Sequence, residues 1–327
     1  MRDNLIKVGV AFGGPSPEYE ISLSSGQNVC KEIPGDKYAV YPVHITNEGF
    51  FQISDRPSGN SLAAFSQPEI PAHKACRYLK NFDVIFNTVH GPYGEDGNFQ
   101  GFLEVLGIPC TGSNTAASAL AIDKMRARMV MKEHGIPVPE SVYLNSPFDK
   151  IPFMPAVIKP NAQGSSVGIT IAKSPVELSN AIELAFSYGN IVIAEEYLEG
   201  QEITCSVLQR RNSKAEALPV TLIIPKNSEF FDIKAKYEIG ASDEITPAPI
   251  PENSFRLAQE LAVRCHEALG CSGVTRTDIF LMTDGSMKVI EINTLPGMTN
   301  TSLVPQAARH VGISFGQLLD IMIEGAL

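Results

Sequence analysis

The chain lacks the features that mark several protein classes. It has no Cys-x-x-Cys pair, and its six cysteines (Cys30, Cys76, Cys110, Cys205, Cys265 and Cys271) are scattered. That argues against a zinc centre or a dense disulfide framework, and reduced, buried thiols in a cytoplasmic protein are the expectation. No stretch approaches the roughly 20 apolar residues that span a bilayer. Met1–Gly14 reads as a first strand and not as a leader, because its apolar run is short and Lys7 interrupts it. Basic residues are not in excess: Lys and Arg number 26 against 36 Asp and Glu, a net charge of −10. A nucleic-acid partner is therefore not expected, although the balance leaves room for a local basic pocket around an anionic ligand. Heptads, internal repeats, low-complexity tracts and aromatic–basic clusters are absent. So are the Gly-x-Gly-x-x-Gly fingerprint of a nicotinamide dehydrogenase and the Walker phosphate loop.

What remains is ordinary globular material. The 327 residues are 44% hydrophobic and 19% charged, enough for two or three domains with a sizeable core. Strand-like runs alternate with helical patterns, which predicts an α/β architecture. Val8–Phe12 reads as a buried strand ending in Gly13-Gly14, with a helix after Ser22. Val84–Thr88 is a second strand ending at His90-Gly91, and Asn98–Leu106 a helix. Asp55–His73, rich in Pro, Ser and Gly, reads as loop. Asp123 stands as the N-cap of a helix and Gly135 as its stop, with Pro137 and Pro139 beyond. Ala156–Lys159, Ile169–Ala172 and Ile191–Glu195 are short β-type runs around the polar turn Asn161–Ser166. Asn253–Ala268 is an amphipathic helix closed by Gly270. Domain boundaries fall in loops near residues 112 and 199.

Two runs near the C-terminus carry the most chemistry. Arg276–Met282 and Met287–Asn293 are joined around Asp284-Gly285, a hairpin signal. A two-residue loop there sets Asp278 opposite Glu291 and Arg276 opposite Asn293, all on one face. Facing carboxylates destabilise a sheet unless a cation lies between them. With the Asn oxygen added, the ligand set suits Mg²⁺ or Mn²⁺ shared with phosphates; otherwise the strand face is simply solvated.

Other clusters extend the pattern. Gly13-Gly14-Pro-Ser16-Pro-Glu18 allows a close backbone approach, with Glu18 facing an ammonium group or solvent. His90-Gly-Pro-Tyr-Gly-Glu95-Asp96-Gly97 follows a strand end, where open α/β sheets bind ligands. Lys159-Pro-Asn-Ala-Gln-Gly164-Ser165-Ser166-Val-Gly168 offers a lysine and backbone N–H groups to phosphate, or is a plain Gly/Ser turn. Glu195-Glu196-Tyr197-Leu198-Glu199-Gly200-Gln201-Glu202 suits an adenine amine and ribose hydroxyls, or is a solvated turn. Phe230–Ile245, with Lys236 and Tyr237, has the length and polarity of a lid. Asn293–Ser302 offers the Gly297 N–H to an oxyanion and Ser302 to a carboxylate. Together these are the parts of a phosphoryl-transfer site.

In this order, from about Val8 to Leu319, the residues resemble the ATP-grasp ligases, and within them the D-alanine–D-alanine ligase family. The Gly13–Ser25, His90–Gly112, Lys159–Gly168, Arg276–Asp278 and Glu291–Leu303 blocks carry the resemblance. It implies a three-domain α/β fold: an open Rossmann-like domain over residues 1–112, then two α+β domains (113–199 and 200–327) that clasp ATP, with a lid at about 226–245. It implies a homodimer acting on D-alanine and ATP with two Mg²⁺ or Mn²⁺ ions on Asp278, Glu291 and Asn293. Lys124 and Lys159 then hold phosphates, and Lys236 closes from the lid. Glu195 and the Leu198 backbone read adenine, and Glu202 takes the ribose. Glu18 and His90 bind the first D-alanine, Arg276 and Gly297 the oxyanion, and Ser302 the second carboxylate. Ser165 and Tyr237, with Glu18, tie the serine loop to the lid and exclude water. Ser165→Ala is then expected to raise ATP hydrolysis relative to dipeptide formation.

Tyr237 implies an amine nucleophile. The alternatives are a ligase for another D-amino acid or for D-lactate. Cys110, Thr246 and Thr301 depart from the family pattern without removing a ligand.

Overall fold

The computed structural model describes residues 5–162, 168–226, 241–299 and 301–327. The N-terminal sheet contains β1 (Ile6–Gly13), β2 (Tyr38–Ile45), β3 (Phe51–Ile53) and β4 (Val84–Asn87), in the order β3-β2-β1-β4. Strands β2 and β4 flank β1 in parallel, and β3 adds an antiparallel edge. From Val8 to Gly13 every residue of β1 is buried, as a strand covered on both faces requires. Helix α1 (Tyr19–Glu32) starts before the expected Ser22. Within the expected 55–73 loop lie a 3₁₀ turn, Ser61–Ala64, and the start of α2 (Ala72–Leu79). Helix α3 (Asn98–Leu106) has the predicted bounds and is followed by α4 (Thr115–Ile122).

Helix α5 (Lys124–Glu133) is capped by Asp123, whose side chain accepts the Arg126 N–H at 3.0 Å. Its N-terminus is pinned from outside as well: Asn161 Oδ1 accepts the Met125 N–H at 3.2 Å. A second, antiparallel sheet follows, in the order β5-β8-β6-β7. Its strands are β5 (Ser141–Leu144), β6 (Ala156–Pro160), β7 (Thr170–Ala172) and β8 (Val192–Glu196), with α6 (Pro175–Ser187) packed on one face.

The third sheet holds β9 (Gly200–Gln209), β10 (Ala215–Ala217), β11 (Thr221–Pro225), β12 (Ser242–Ile245), β13 (Val274–Met282) and β14 (Met287–Asn293). Its order is β12-β11-β9-β13-β14, with β10 on β9. Helix α7 (Glu252–Ala268) buries Ala258, Leu261, Ala262 and Cys265 against this sheet, the face its periodicity predicts. The chain ends with α8 (Leu303–His310) and α9 (Phe315–Ala326). Leu318, Leu319, Met322 and Ile323 of α9 join Val8, Val10 and Phe86 in one core, so the first sheet is completed by the last helix. All six cysteines are free thiols, and among the described residues no helix is long and apolar enough to cross a membrane.

The β13–β14 hairpin corrects one expectation. Its loop has three residues, Thr283, Asp284 and Gly285: Met282 accepts from Gly285 N–H at 3.0 Å and donates to Ser286 O at 2.8 Å. Gly285 takes φ +84, the left-handed position that a three-residue hairpin loop needs. The longer loop moves the pairing by one residue, so Ile279 faces Val289. A bulge then compensates. Ile290 has no partner across the ladder, and beyond it Asp278 faces Glu291 and Arg276 faces Asn293. The expected register is present, but two offsets that cancel produce it.

Candidate active site

Asp278 is buried on β13. Its carboxylate is gripped by Arg276, Nε to Oδ1 at 2.8 Å and Nη2 to Oδ2 at 2.9 Å, and the Thr204 hydroxyl donates to Oδ1 at 2.7 Å. Thr204 reaches it because β9 pairs with β13 in a register that sets Thr204 beside Asp278. Across the hairpin, half-buried Glu291 pairs through Oε2 with Lys124 Nζ at 3.2 Å. Asn293 Oδ1 accepts the Leu295 N–H at 2.9 Å, which fixes the amide and leaves a second lone pair on that oxygen. Two carboxylates and an amide oxygen thus stand on one face, with cationic side chains beside the acids.

A second cluster lies where the middle sheet meets α5. Lys159, on β6, is 3% exposed, and its Nζ lies 2.6 Å from Glu195 Oε1 on β8. Burial holds the Lys159 ammonium down at about 8 against the pull of Glu195. Arg128, on α5, brings Nη1 to the same Glu195 oxygen at 2.6 Å. Neither cation meets that oxygen along the line of a good hydrogen bond, so the attraction is mainly coulombic. Burial alone would push the Glu195 carboxyl up; Arg128 and Lys159 outweigh it and hold it below the usual range. Sequence reasoning missed Arg128. Only its place one turn after Lys124 hinted at it, since residues four apart share a helix face. Leu198 is buried just beyond β8, and Glu202 is half-buried on β9.

The loops at the ends of β1 and β4 touch each other. Glu18 is buried beside the glycine turn, and its N–H donates to Ser16 Oγ at 3.1 Å. Gly91 has φ +76, and a Cβ there would lie 2.5 Å from Glu18 Oε2 and 2.4 Å from Ser16 Oγ. His90 Nε2 meets Ser25 Oγ at 2.9 Å, and Nδ1 faces Glu95 Oε1 at 3.3 Å. Because a carboxylate only accepts, Nδ1 carries the proton. Ser25 Oγ also accepts the Met298 N–H at 3.4 Å, which joins the first sheet to the loop after β14. In that loop Ser302 Oγ accepts the Thr299 N–H at 2.9 Å, and a Cβ on Gly297 would sit 2.9 Å from Ser302 Oγ.

Contacts thus link the candidate residues of all three sheets: His90 of the first reaches the loop after β14 through Ser25, Glu195 of the second reaches β14 through Arg128, and Lys124 of α5 pairs with Glu291 of the third, which also carries Arg276, Asp278 and Asn293. Ser165, Lys236 and Tyr237 lie outside the described residues. Of the departures from the family pattern, Thr246 is absorbed by a hydroxyl–hydroxyl bond to Thr221 at 2.6 Å, and Cys110 is a half-buried thiol pushed up to about 12 by burial.

Known proteins resemble this chain along nearly its whole length. A family model described as D-ala D-ala ligase N-terminus matches residues 7–113, and one described as D-ala D-ala ligase C-terminus matches residues 130–324. The chain is 38% identical to a D-alanine–D-alanine ligase of Leptospira interrogans, over 98% of each chain. It is 36% identical to one of Halalkalibacterium halodurans, over 98% of this chain and 99% of that protein. Among solved structures, the VanG D-Ala:D-Ser ligase of Enterococcus faecalis superposes with TM-score 0.85 at 35% identity, covering 99% of this chain and 100% of the other. The D-alanine–D-alanine ligase of Coxiella burnetii gives TM-score 0.82 at 27% identity, covering 99% and 94%. Matched over nearly its whole length by relatives 36% and 38% identical, this chain belongs to the D-alanine–D-alanine ligase family.

Proposed function

We propose that the protein uses ATP to join two molecules of D-alanine into D-alanyl-D-alanine, a peptidoglycan precursor, in the cytoplasm. The observation that carries the reading is the facing pair Asp278 and Glu291 beside two lysines held by carboxylates. A carboxylate is a poor electrophile, and transfer of a phosphoryl group makes it a good one. Lys124 and Lys159 exchange their carboxylate partners for phosphate oxygens when ATP enters, so their charges are pre-placed. Arg276, fixed by its two bonds to Asp278, faces the oxygen that gains charge when the amine of the second D-alanine attacks. Glu18 and His90 orient the first D-alanine, Gly297 offers its N–H to the oxyanion, and Ser302 holds the second carboxylate. Leu198 and Glu202 border the nucleotide. Ser165, Lys236 and Tyr237 complete the closed site and exclude water, which protects an acyl phosphate from hydrolysis.

The donor set of Asp278, Glu291 and Asn293 is all oxygen, which fits Mg²⁺ or Mn²⁺ and not a thiophilic metal. When bound, such ions would neutralise the β- and γ-phosphates. We further read residues 1–112, 113–199 and 200–327 as three domains with a lid near 226–245, and the active species as a homodimer. ADP release with D-alanine against L-alanine, with and without Mg²⁺, tests the proposal. Strict dependence on D-alanine and the divalent ion is expected, and turnover with L-alanine alone would refute it. The likeness to a D-Ala:D-Ser ligase makes D-serine the second nucleophile to try, and mass spectrometry identifies the product.

A further inference from the structure

The β14 bulge raises a question of satisfaction. A bulged residue leaves the ladder, so its backbone groups need partners elsewhere. Ile290 finds one in Arg128: the guanidinium donates through Nη2 to the Ile290 carbonyl at 2.8 Å. The same side chain, 2% exposed, presents Nη1 to Glu195 at 2.6 Å. Glu195 in turn holds Lys159. One guanidinium thus spans β8 and β14. We infer that Arg128 is a positioning residue that holds the Ile290 bulge, and through it sets Glu291 and Asn293 on the face that receives the divalent ion.

The physical case is one of register. Side chains alternate along a strand, so a slip of one residue turns a whole set to the other face. Without the bulge, the pairing imposed by the three-residue loop would continue. Asp278 would then face Ile290, and Glu291 would leave its place opposite Asp278. The bulged arrangement is favoured when the freed Ile290 carbonyl has a donor, because a buried unsatisfied carbonyl costs about 1–3 kcal/mol. Arg128 provides that donor in a fork that also engages Glu195. A lysine has a single ammonium and cannot match this geometry. Lys288 and Val289 anchor the same strand just before the bulge: Lys288 pairs with Glu196, and Val289 N–H donates to Pro137 O at 2.8 Å. With Glu291 paired to Lys124 just beyond, the strand is held on both sides of its irregular residue.

The inference rests on the reading of Asp278, Glu291 and Asn293 as the divalent site, and the test separates the two. Binding of a non-hydrolysable ATP analogue is measured by calorimetry at stepped Mg²⁺ concentrations, for the wild type and for Arg128→Lys, Arg128→Met and Glu195→Gln. Both Arg128 variants are expected to raise the Mg²⁺ midpoint of nucleotide binding about tenfold, the lower end of what loss of an outer-shell partner does to metal affinity. Glu195→Gln is expected to weaken binding at saturating Mg²⁺ but to keep the midpoint within about twofold, since Ile290 keeps its donor. Hydrogen exchange at the β14 amides, corrected for the global stability of each variant, should quicken in the Arg128 variants and not in Glu195→Gln. A wild-type midpoint in Arg128→Lys overturns the inference. So does a Glu195→Gln midpoint shifted as far as that of Arg128→Met, which would mean that Arg128 acts only through Glu195. If Arg128→Met fails to fold, Arg128→Lys carries the test. Nucleotide uptake by the wild type with no Mg²⁺ dependence would instead defeat the metal reading itself.

Discussion

Replacing Glu195 by Gln removes one negative charge from between two buried cations while keeping the shape. The carboxylate oxygen lies 2.6 Å from Lys159 Nζ and 2.6 Å from Arg128 Nη1. With an effective dielectric of about 20, each contact is worth roughly 6 kcal/mol of coulombic attraction, largely offset by the desolvation of three charges. Removing one partner of such a buried group leaves uncompensated charge and destabilises by about 3–5 kcal/mol. Function follows from Lys159. Its ammonium is held at about 8 by burial, with Glu195 as the strongest opposing influence. Loss of Glu195 leaves burial, Arg128 and Lys124 acting downward against the weaker pull of Glu291 alone. The lysine then enters the neutral range, and ATP must restore its proton on binding. Each unit by which it falls below the assay pH costs about 1.4 kcal/mol, or about tenfold in affinity. ATP affinity of Glu195→Gln should therefore be closer to wild type at pH 6.5 than at pH 8.5, as titration calorimetry will read. Inorganic pyrophosphate should show the same pH dependence, because the effect acts on phosphate. A loss that is equal at both pH values and absent with pyrophosphate would refute this reasoning and assign Glu195 to the adenine ring instead.

Three further outcomes follow from single contacts. Thr204→Val deletes the hydroxyl donor to Asp278 and should lower stability in urea by about 1.5–3 kcal/mol, with Thr204→Ser recovering most of it. Gly91→Ala drives a methyl group into Ser16 and Glu18 at a left-handed position; the KM for D-alanine should rise about tenfold to a hundredfold with the KM for ATP little changed, as initial-rate kinetics will show. His266 is buried against Thr275 and Gln209, and burial holds it down at about 4 from 6.5. The unfolded chain binds the extra proton in that window. This contribution, about 3 kcal/mol, is therefore complete above about pH 6.5 and lost as pH falls towards 4. Urea midpoints for wild type and His266→Gln should converge on acidification; parallel curves would contradict it.

Much of the architecture was legible because local chemistry and tertiary structure agree. The α3 bounds, the Asp123 cap and the buried face of α7 come from cap residues and 3.6-residue periodicity, which packing only reinforces. Helix α6 was missed although Ser174, Pro175 and Glu177 form a start signal: Ser174 Oγ accepts the Glu177 N–H at 3.4 Å, and Glu177 Oε2 accepts the Lys173 N–H at 2.7 Å. The hairpin register was read correctly from a loop of the wrong length, since no local signal marks Ile290 as a bulge. Arg128 was invisible because its role depends on contacts with residues 67 and 162 positions away in sequence. Glu195 was legible as an acid after a strand, but its burial with two cations is a tertiary fact.

The paired offsets in the β13–β14 hairpin constrain how this gene can change. Loss of one residue within 283–285 can be taken up by a two-residue loop between Met282 and Ser286, and loss of one within 286–290 by disappearance of the bulge; either leaves Asp278 opposite Glu291. A loss within 279–282 of β13 finds no such slack: with the loop and the bulge unchanged it would set Thr277, not Asp278, opposite Glu291.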